Sequence, residues 1–256
     1  MCHDRLTAPV RGGSGIVEER PALAVTDGVM PGYLARPEAG DGPGVVIIHD
    51  FFGASAFYED LARRIAGEGY SVLLPDFYWR EGAVAWRDRE AAVARAQRHD
   101  QVRAMADLAA AIAWLRARAD GGKVGVVGFC MGGTLALLSA GRDPLPDVAV
   151  SFYGFPNGHP GWPGWPLRPL DAAEVAAVRA PMLAHCGDAD AGVGMYHMAA
   201  YADALAAAGA TYEGIIYPEM PHGFLTFDPA SPNYAASQAA MARTMDVFRE
   251  RLGAGR

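Results

Sequence analysis

The chain has 256 residues, 22 basic and 29 acidic side chains, a net charge of −7 and a 51% hydrophobic composition, enough apolar material for a sizeable core. Charges of both signs are interspersed, which argues against the basic face of a nucleic-acid binder, and no apolar run reaches the roughly 18 residues of a membrane span. The N-terminal MCHDRLTAPVRGGSG has no hydrophobic h-region, so a cytoplasmic protein with neither nucleic-acid nor membrane partners is expected.

In chain order, residues 1–14 read as a flexible terminus and 15–256 as a single domain. IVEERPALAVT and VMPGYLARP read as two short strands. GPGVVIIHD is a continuous β-branched run, as suits a parallel strand covered on both faces. FYEDLARRIAGEGY reads as a helix closed by Gly67 and Gly69, and SVLLPDFYW as a strand with its loop. Residues 83–119 have helical spacing, as one long helix or two in tandem. Then strand and helix alternate: KVGVVGF, MGGTLALLSAG, DVAVSFYG, PMLAHCGD, MYHMAAYADALAAAG, TYEGIIYPE and a closing helix SQAAMARTMDVFRERL. Such alternation predicts an α/β fold with a mostly parallel sheet between helices. The Pro- and Trp-rich segment 155–171 is the one long irregular stretch.

Cys2, Cys130 and Cys186 form neither a disulfide framework nor a CxxC pair, and the His–Cys neighbours lack metal-ligand spacing, so no metal is expected. Cys130 stands out by position. It lies in Gly128-Phe129-Cys130-Met131-Gly132, between a buried strand and a helix, which is a nucleophile elbow carrying sulfur. A helix N-terminus favours a thiolate there. A nucleophile needs a base and the base an orienting acid. His222 in PEMPHGF follows the last strand. His3 and His99 sit on a terminus and a charged helix, His197 in a helix, His185 in a strand and His159 in the long loop. Asp188 and Asp190 both follow PMLAHCG; the spacing Gly187-x-x-Asp190 favours Asp190, with Asp188 as a turn former.

HDFFG at 49–53, PDFYWR at 75–80, GFCMGG at 128–133, GDAD at 187–190 and PHGF at 221–224 together resemble the dienelactone hydrolases, also called carboxymethylenebutenolidases. The resemblance runs from about residue 15 onward. It implies an α/β-hydrolase fold and a Cys130–Asp190–His222 triad that cleaves a small ester or lactone through a thioester, with no cofactor. It implies further that the amides of Phe51 and Met131 form the oxyanion hole, and that an acid after the third strand holds the resting thiol. Asp50 stands at that position, where the family usually has glutamate. Arg80 matches a family arginine for the substrate carboxylate, whereas Thr226 replaces a second one. Tyr153 and Trp162 or Trp165 are expected to wall the pocket. The partner expected is the small-molecule substrate, with a monomer or weak homodimer as the assembly. A non-catalytic small-molecule receptor and a redox-sensing thiol protein are the rival readings.

Overall fold

The computed structural model describes residues 15–85, 88–156 and 170–253. Its strands are β1 (Ile16–Glu19), β2 (Ala22–Val25), β3 (Gly28–Pro37), β4 (Gly44–Ile48), β5 (Ser71–Pro75), β6 (Val124–Phe129), β7 (Val148–Phe152), β8 (Met182–Gly187) and β9 (Tyr212–Tyr217). Its helices are α1 (Ala56–Ala66), α2 (Arg89–Ala96), α3 (Gln101–Arg116), α4 (Met131–Ser139), α5 (Ala172–Ala176), α6 (Met195–Ala207) and α7 (Tyr234–Leu252). The sheet order is β1-β3-β5-β4-β6-β7-β8-β9, with β2 also paired to β3. Pairing is antiparallel around β3 and parallel from β5 to β9.

The central strands are buried on both faces, and their side chains divide between two cores. Val45 and Ile47 of β4 join α1 and α7 on one face, while Val46 and Ile48 join α3 and α4 on the other. β7 divides likewise, with Val148 and Val150 on the first side and Ala149 on the second. This two-sided burial is why these strands carry unbroken apolar runs rather than alternation.

Two boundaries differ from the expectation and one is decided. IVEERPALAVT is not one strand but β1 and β2, divided at Arg20-Pro21; proline has no N–H for a ladder, and the Pro21 carbonyl instead accepts the Gly32 amide at 2.9 Å. Short α5, not expected from the sequence, follows directly on the stretch read as irregular and is held by a capping box between Asp171 and Glu174. Residues 83–119 form two helices: the Asp100 carboxylate accepts the amides of Val102 at 2.8 Å and Arg103 at 3.2 Å, so α3 starts afresh there.

The turn from β6 into α4 brings backbone segments into close contact. A Cβ on Gly128 would lie 1.9 Å from the Gly132 carbonyl oxygen, and one on Gly132 would lie 2.2 Å from the Ile48 carbonyl oxygen of β4. Neither obstacle is a side chain that can rotate away. Gly128→Ala is therefore expected to cost about 3 kcal/mol or more, the upper end of overpacking. Urea unfolding of purified wild type and variant checks this; an unchanged midpoint would mean the turn relaxes easily.

Candidate active site

Cys130 sits at the sharpest point of that turn. Its φ of 56° and ψ of −116° lie in a region that non-glycine residues rarely occupy. Its amide donates to the Phe152 carbonyl at 3.0 Å, which ties the turn to β7, and the side chain is buried in the core cluster below the strand ends. Met131, the first residue of α4, has no intrahelical acceptor for its amide.

The structure brings Asp190 and His222 together. Asp190 Oδ2 lies 2.7 Å from His222 Nδ1, and Oδ1 accepts the amides of Gly192 at 2.9 Å and Val193 at 3.0 Å. The carboxylate is thus held by the turn it opens, with its second oxygen aimed at the imidazole. Gly187 makes the approach possible, because a Cβ there would lie 1.9 Å from the Met220 carbonyl oxygen in the loop leading to His222. Asp188 braces the same loop from the other side. Its Oδ1 accepts the Glu219 amide at 2.6 Å, where Glu219 adopts a φ of 61°. Phe155 stacks on the His222 ring at 5.1 Å, and Tyr153 meets it edge-on at 5.1 Å. Tyr153 itself has a φ of 42° and donates its amide to the His185 carbonyl at 2.8 Å. Through Phe152 and Tyr153, the backbone that holds Cys130 also carries the ring that meets His222.

Residues 50–53 fold into a turn on Asp50. Its carboxylate accepts the Phe52 amide at 2.8 Å and its carbonyl accepts the Gly53 amide at 3.1 Å. No hydrogen bond among the described residues joins this carboxylate to Cys130; aspartate, one methylene shorter than glutamate, is suited to the local turn it holds. Burial raises the Asp50 pKa to about 6, outweighing the Phe52 amide, the Tyr58 hydroxyl and the charges of His222 and Arg95. The unfolded value is near 3.9. The folded chain therefore holds an extra proton between those limits, and the stability this group contributes is complete below about pH 4 and lost as pH rises towards 6. Asn at position 50 keeps an oxygen acceptor and removes the titration. The stability of Asp50→Asn relative to wild type should grow between pH 4 and 6 to as much as about 3 kcal/mol, then level off. Urea unfolding at stepped pH measures it, and a flat difference would mean that Asp50 ionises normally.

Arg80 is not brought to the site as a carboxylate clamp. Its guanidinium is already bound to two acids: Nε to Asp27 Oδ2 at 2.9 Å, a second bond to Asp27 Oδ1, and Asp107 through 2.5 and 2.9 Å contacts. Both acids push its pKa upward, Asp107 first. Asp107 is 1% exposed and needs this partner. Arg80→Ala should leave that buried carboxylate without a cation, with the Trp79 Nε1 bond at 3.2 Å remaining, at a cost of about 3–5 kcal/mol seen as a lower urea midpoint; undiminished stability would return Arg80 to the list of free cations. Thr226, at the second family position, is occupied in a turn, its hydroxyl accepting the Asp228 amide at 3.1 Å. Trp162, Trp165 and residues 1–14 lie outside the described residues.

Two residues escaped the sequence reading. His49 Nε2 accepts the Phe77 amide at 3.0 Å, so its proton is on Nδ1, which donates to the Asp50 carbonyl at 2.8 Å. Burial lowers its pKa to about 4, which keeps the ring neutral and the link between the ends of β4 and β5 intact. A polar residue ending an otherwise apolar strand was the available signal. Arg95 gave none, being one arginine of an arginine-rich helix; it is 3% exposed and its Nη2 donates to the Phe51 carbonyl at 3.0 Å. His185, by contrast, is structural, bonded to the Tyr217 hydroxyl and Thr244 Oγ1 at 2.9 and 3.0 Å. Burial pushes the Cys186 thiol up to about 12, a poor partner for thiol exchange.

The sequence model of the dienelactone hydrolase family matches residues 30–252. The chain belongs to the dienelactone hydrolase family. A carboxymethylenebutenolidase from Rhodococcus opacus is 32% identical over 257 residues, spanning all of this chain and 99% of that protein. A Klebsiella pneumoniae structure, provisionally named a dienelactone hydrolase, superposes with a TM-score of 0.82 at 28% identity, over 93% of this chain and all of that one. The acylaminoacyl peptidase of Pyrococcus horikoshii shares the fold, with a TM-score of 0.74 at 16% identity over 95% of this chain and 43% of that one. This dienelactone hydrolase-family protein is accordingly an α/β-hydrolase acting on a small-molecule substrate. No helix among its described residues is long and apolar enough to cross a membrane, and no cluster there could hold a metal.

Proposed function

We propose that this hydrolase opens small esters or lactones through a thioester on Cys130, with His222 as general base and acid and Asp190 as the residue that orients it. The 2.7 Å bond between Asp190 and His222 Nδ1 carries the reading, since it leaves Nε2 as the ring's proton-transfer atom. Cys130 Sγ attacks the acyl carbon while its proton passes to His222 Nε2. Negative charge then develops on the carbonyl oxygen, where the amides of Phe51 and Met131 would meet it as fixed dipoles. Collapse breaks the acyl carbon–oxygen bond, and His222 returns the proton to the departing alkoxide. In a lactone that alkoxide stays tethered to the acyl group. Water, deprotonated by His222, next attacks the thioester and releases the carboxylic acid and the thiol.

Substrate charge follows from the cations. With Arg80 bound to Asp27 and Asp107, and threonine at the second family position, uncharged esters and lactones suit the site at least as well as carboxylate-bearing ones. Tyr153 and Phe155, packed on His222, would line the acyl side.

Hydrolysis of p-nitrophenyl acetate and of a simple unsaturated lactone provides the test. Cys130→Ala should fall to the uncatalysed rate. Asp190→Asn should lose on the order of 10³ to 10⁴ in turnover, because the imidazole is left in the wrong tautomer. Asp188→Asn should lose far less, its bond to Glu219 only bracing the loop. A Cys130→Ala protein that keeps most of its activity would sink the thioester, and the opposite ranking of the two aspartates would move the orienting acid to Asp188.

A further inference from the structure

Arg95 lies near the end of α2, yet its head group is buried beside the turn that carries Phe51. Its Nη2 donates to the Phe51 carbonyl at 3.0 Å, and its Nη1 reaches the Gly82 carbonyl at 3.4 Å. The guanidinium stacks on the Tyr78 ring at 4.0 Å from its centroid. Gly53, which closes the turn with a φ of 95°, leaves room for it: a Cβ there would be 3.3 Å from Nη2. Arg95 thereby joins three segments, the turn after β4, the loop after β5, and α2.

The electrostatics make this an expensive way to fill space. Arg95 has no ion pair among the described residues, and its Nε has no hydrogen-bond partner there. Burial lowers its pKa, opposed by Tyr78, Asp76, Glu81 and Asp50. A buried charge without a bonded counter-ion subtracts from stability, and an apolar side chain of similar volume is often the more stable choice. What the cation supplies instead is direction. Fixing the Phe51 carbonyl fixes the orientation of the peptide plane that follows it, and limits the swing of the one before it, which carries the Phe51 N–H. Asp50 holds the turn from inside through the Phe52 and Gly53 amides; Arg95 holds it from outside.

We propose that Arg95 is a positioning residue that locks the oxyanion turn at Phe51 in its working orientation. The proposal rests on the thioester mechanism above only in taking the Phe51 amide as an oxyanion donor. Small misplacements of such a donor are costly, on the order of 10²-fold in rate for about 1 Å.

Arg95→Met and Arg95→Lys in the full chain test it, with Cys130→Ala alongside. In Arg95→Met, kcat for p-nitrophenyl acetate should fall on the order of 10²-fold. KM should stay within about threefold and the melting temperature should hold or rise. Arg95→Lys restores a cationic donor to the Phe51 carbonyl and should recover kcat to within about tenfold of wild type. Hydrogen exchange, which needs no substrate, should quicken in the peptide covering residues 50–53 of Arg95→Met and not in α7. Unchanged exchange at 50–53 would overturn the tether, as would a wild-type kcat in Arg95→Met. A drop in melting temperature matched by loss of activity in both variants would make Arg95 a structural residue and overturn it too. Activity retained in Cys130→Ala would instead overturn the thioester mechanism, while the exchange data would still decide whether Arg95 holds the turn.

Discussion

Everything at this site hangs on one close approach of backbones, the crossing of the β6–α4 turn over the end of β4. With a carbonyl oxygen 1.9 Å from where a Gly128 Cβ would lie and another 2.2 Å from a Gly132 Cβ, no other residue type fits without moving main chain. Cys130 adopts its positive φ within that contact, at the N-terminus of α4. The contact also brings Gly132, the residue after Met131, against the Ile48 and His49 carbonyls at the end of β4. The strain at Cys130 persists because the buried strands on either side, β4 and β7, hold it from both directions.

Around that crossing, polar side chains at the strand ends act mainly on backbone. Asp50 holds the Phe52 amide, His49 links the Asp50 carbonyl to the Phe77 amide, Asp190 takes the Gly192 and Val193 amides, and Asp188 takes that of Glu219. His49, Asp50 and Asp190 are removed from water, so each needs its hydrogen bonds as much as the loop it shapes does. Asp190 has one oxygen left after serving its turn, and that oxygen meets His222. The division of labour between Asp188 and Asp190 is a matter of which carboxylate points inward: Asp190 is buried and Asp188 exposed.

The cations are distributed differently from the family pattern. Arg80 keeps the family position but is clamped by Asp27 and Asp107, and Thr226 takes the place of the second arginine. Arg95 is the cation nearest the turn after β4, and it faces carbonyl oxygens rather than acids. Near the same turn the Arg89 guanidinium lies over the Phe51 ring, 5.8 Å from its centroid.

The sequence by itself determined the elements whose signal is local. Runs such as GVVII and VGVVGF are apolar throughout because parallel strands bury both faces, and GFCMGG specifies its turn because its glycines are sterically obligatory. The sequence left residues 83–119 as one helix or two, and the Asp100 cap that starts α3 afresh came from the structure. Tertiary structure alone decided what depends on partners far away in the chain. Asp27 and Asp107 stand 53 and 27 residues from Arg80, and the Phe51 carbonyl 44 residues from Arg95. An arginine reads the same in sequence whether it faces water, two carboxylates or a carbonyl. Only the folded chain, by burying one face of α2 against the turn after β4, gives the Arg95 cation a direction.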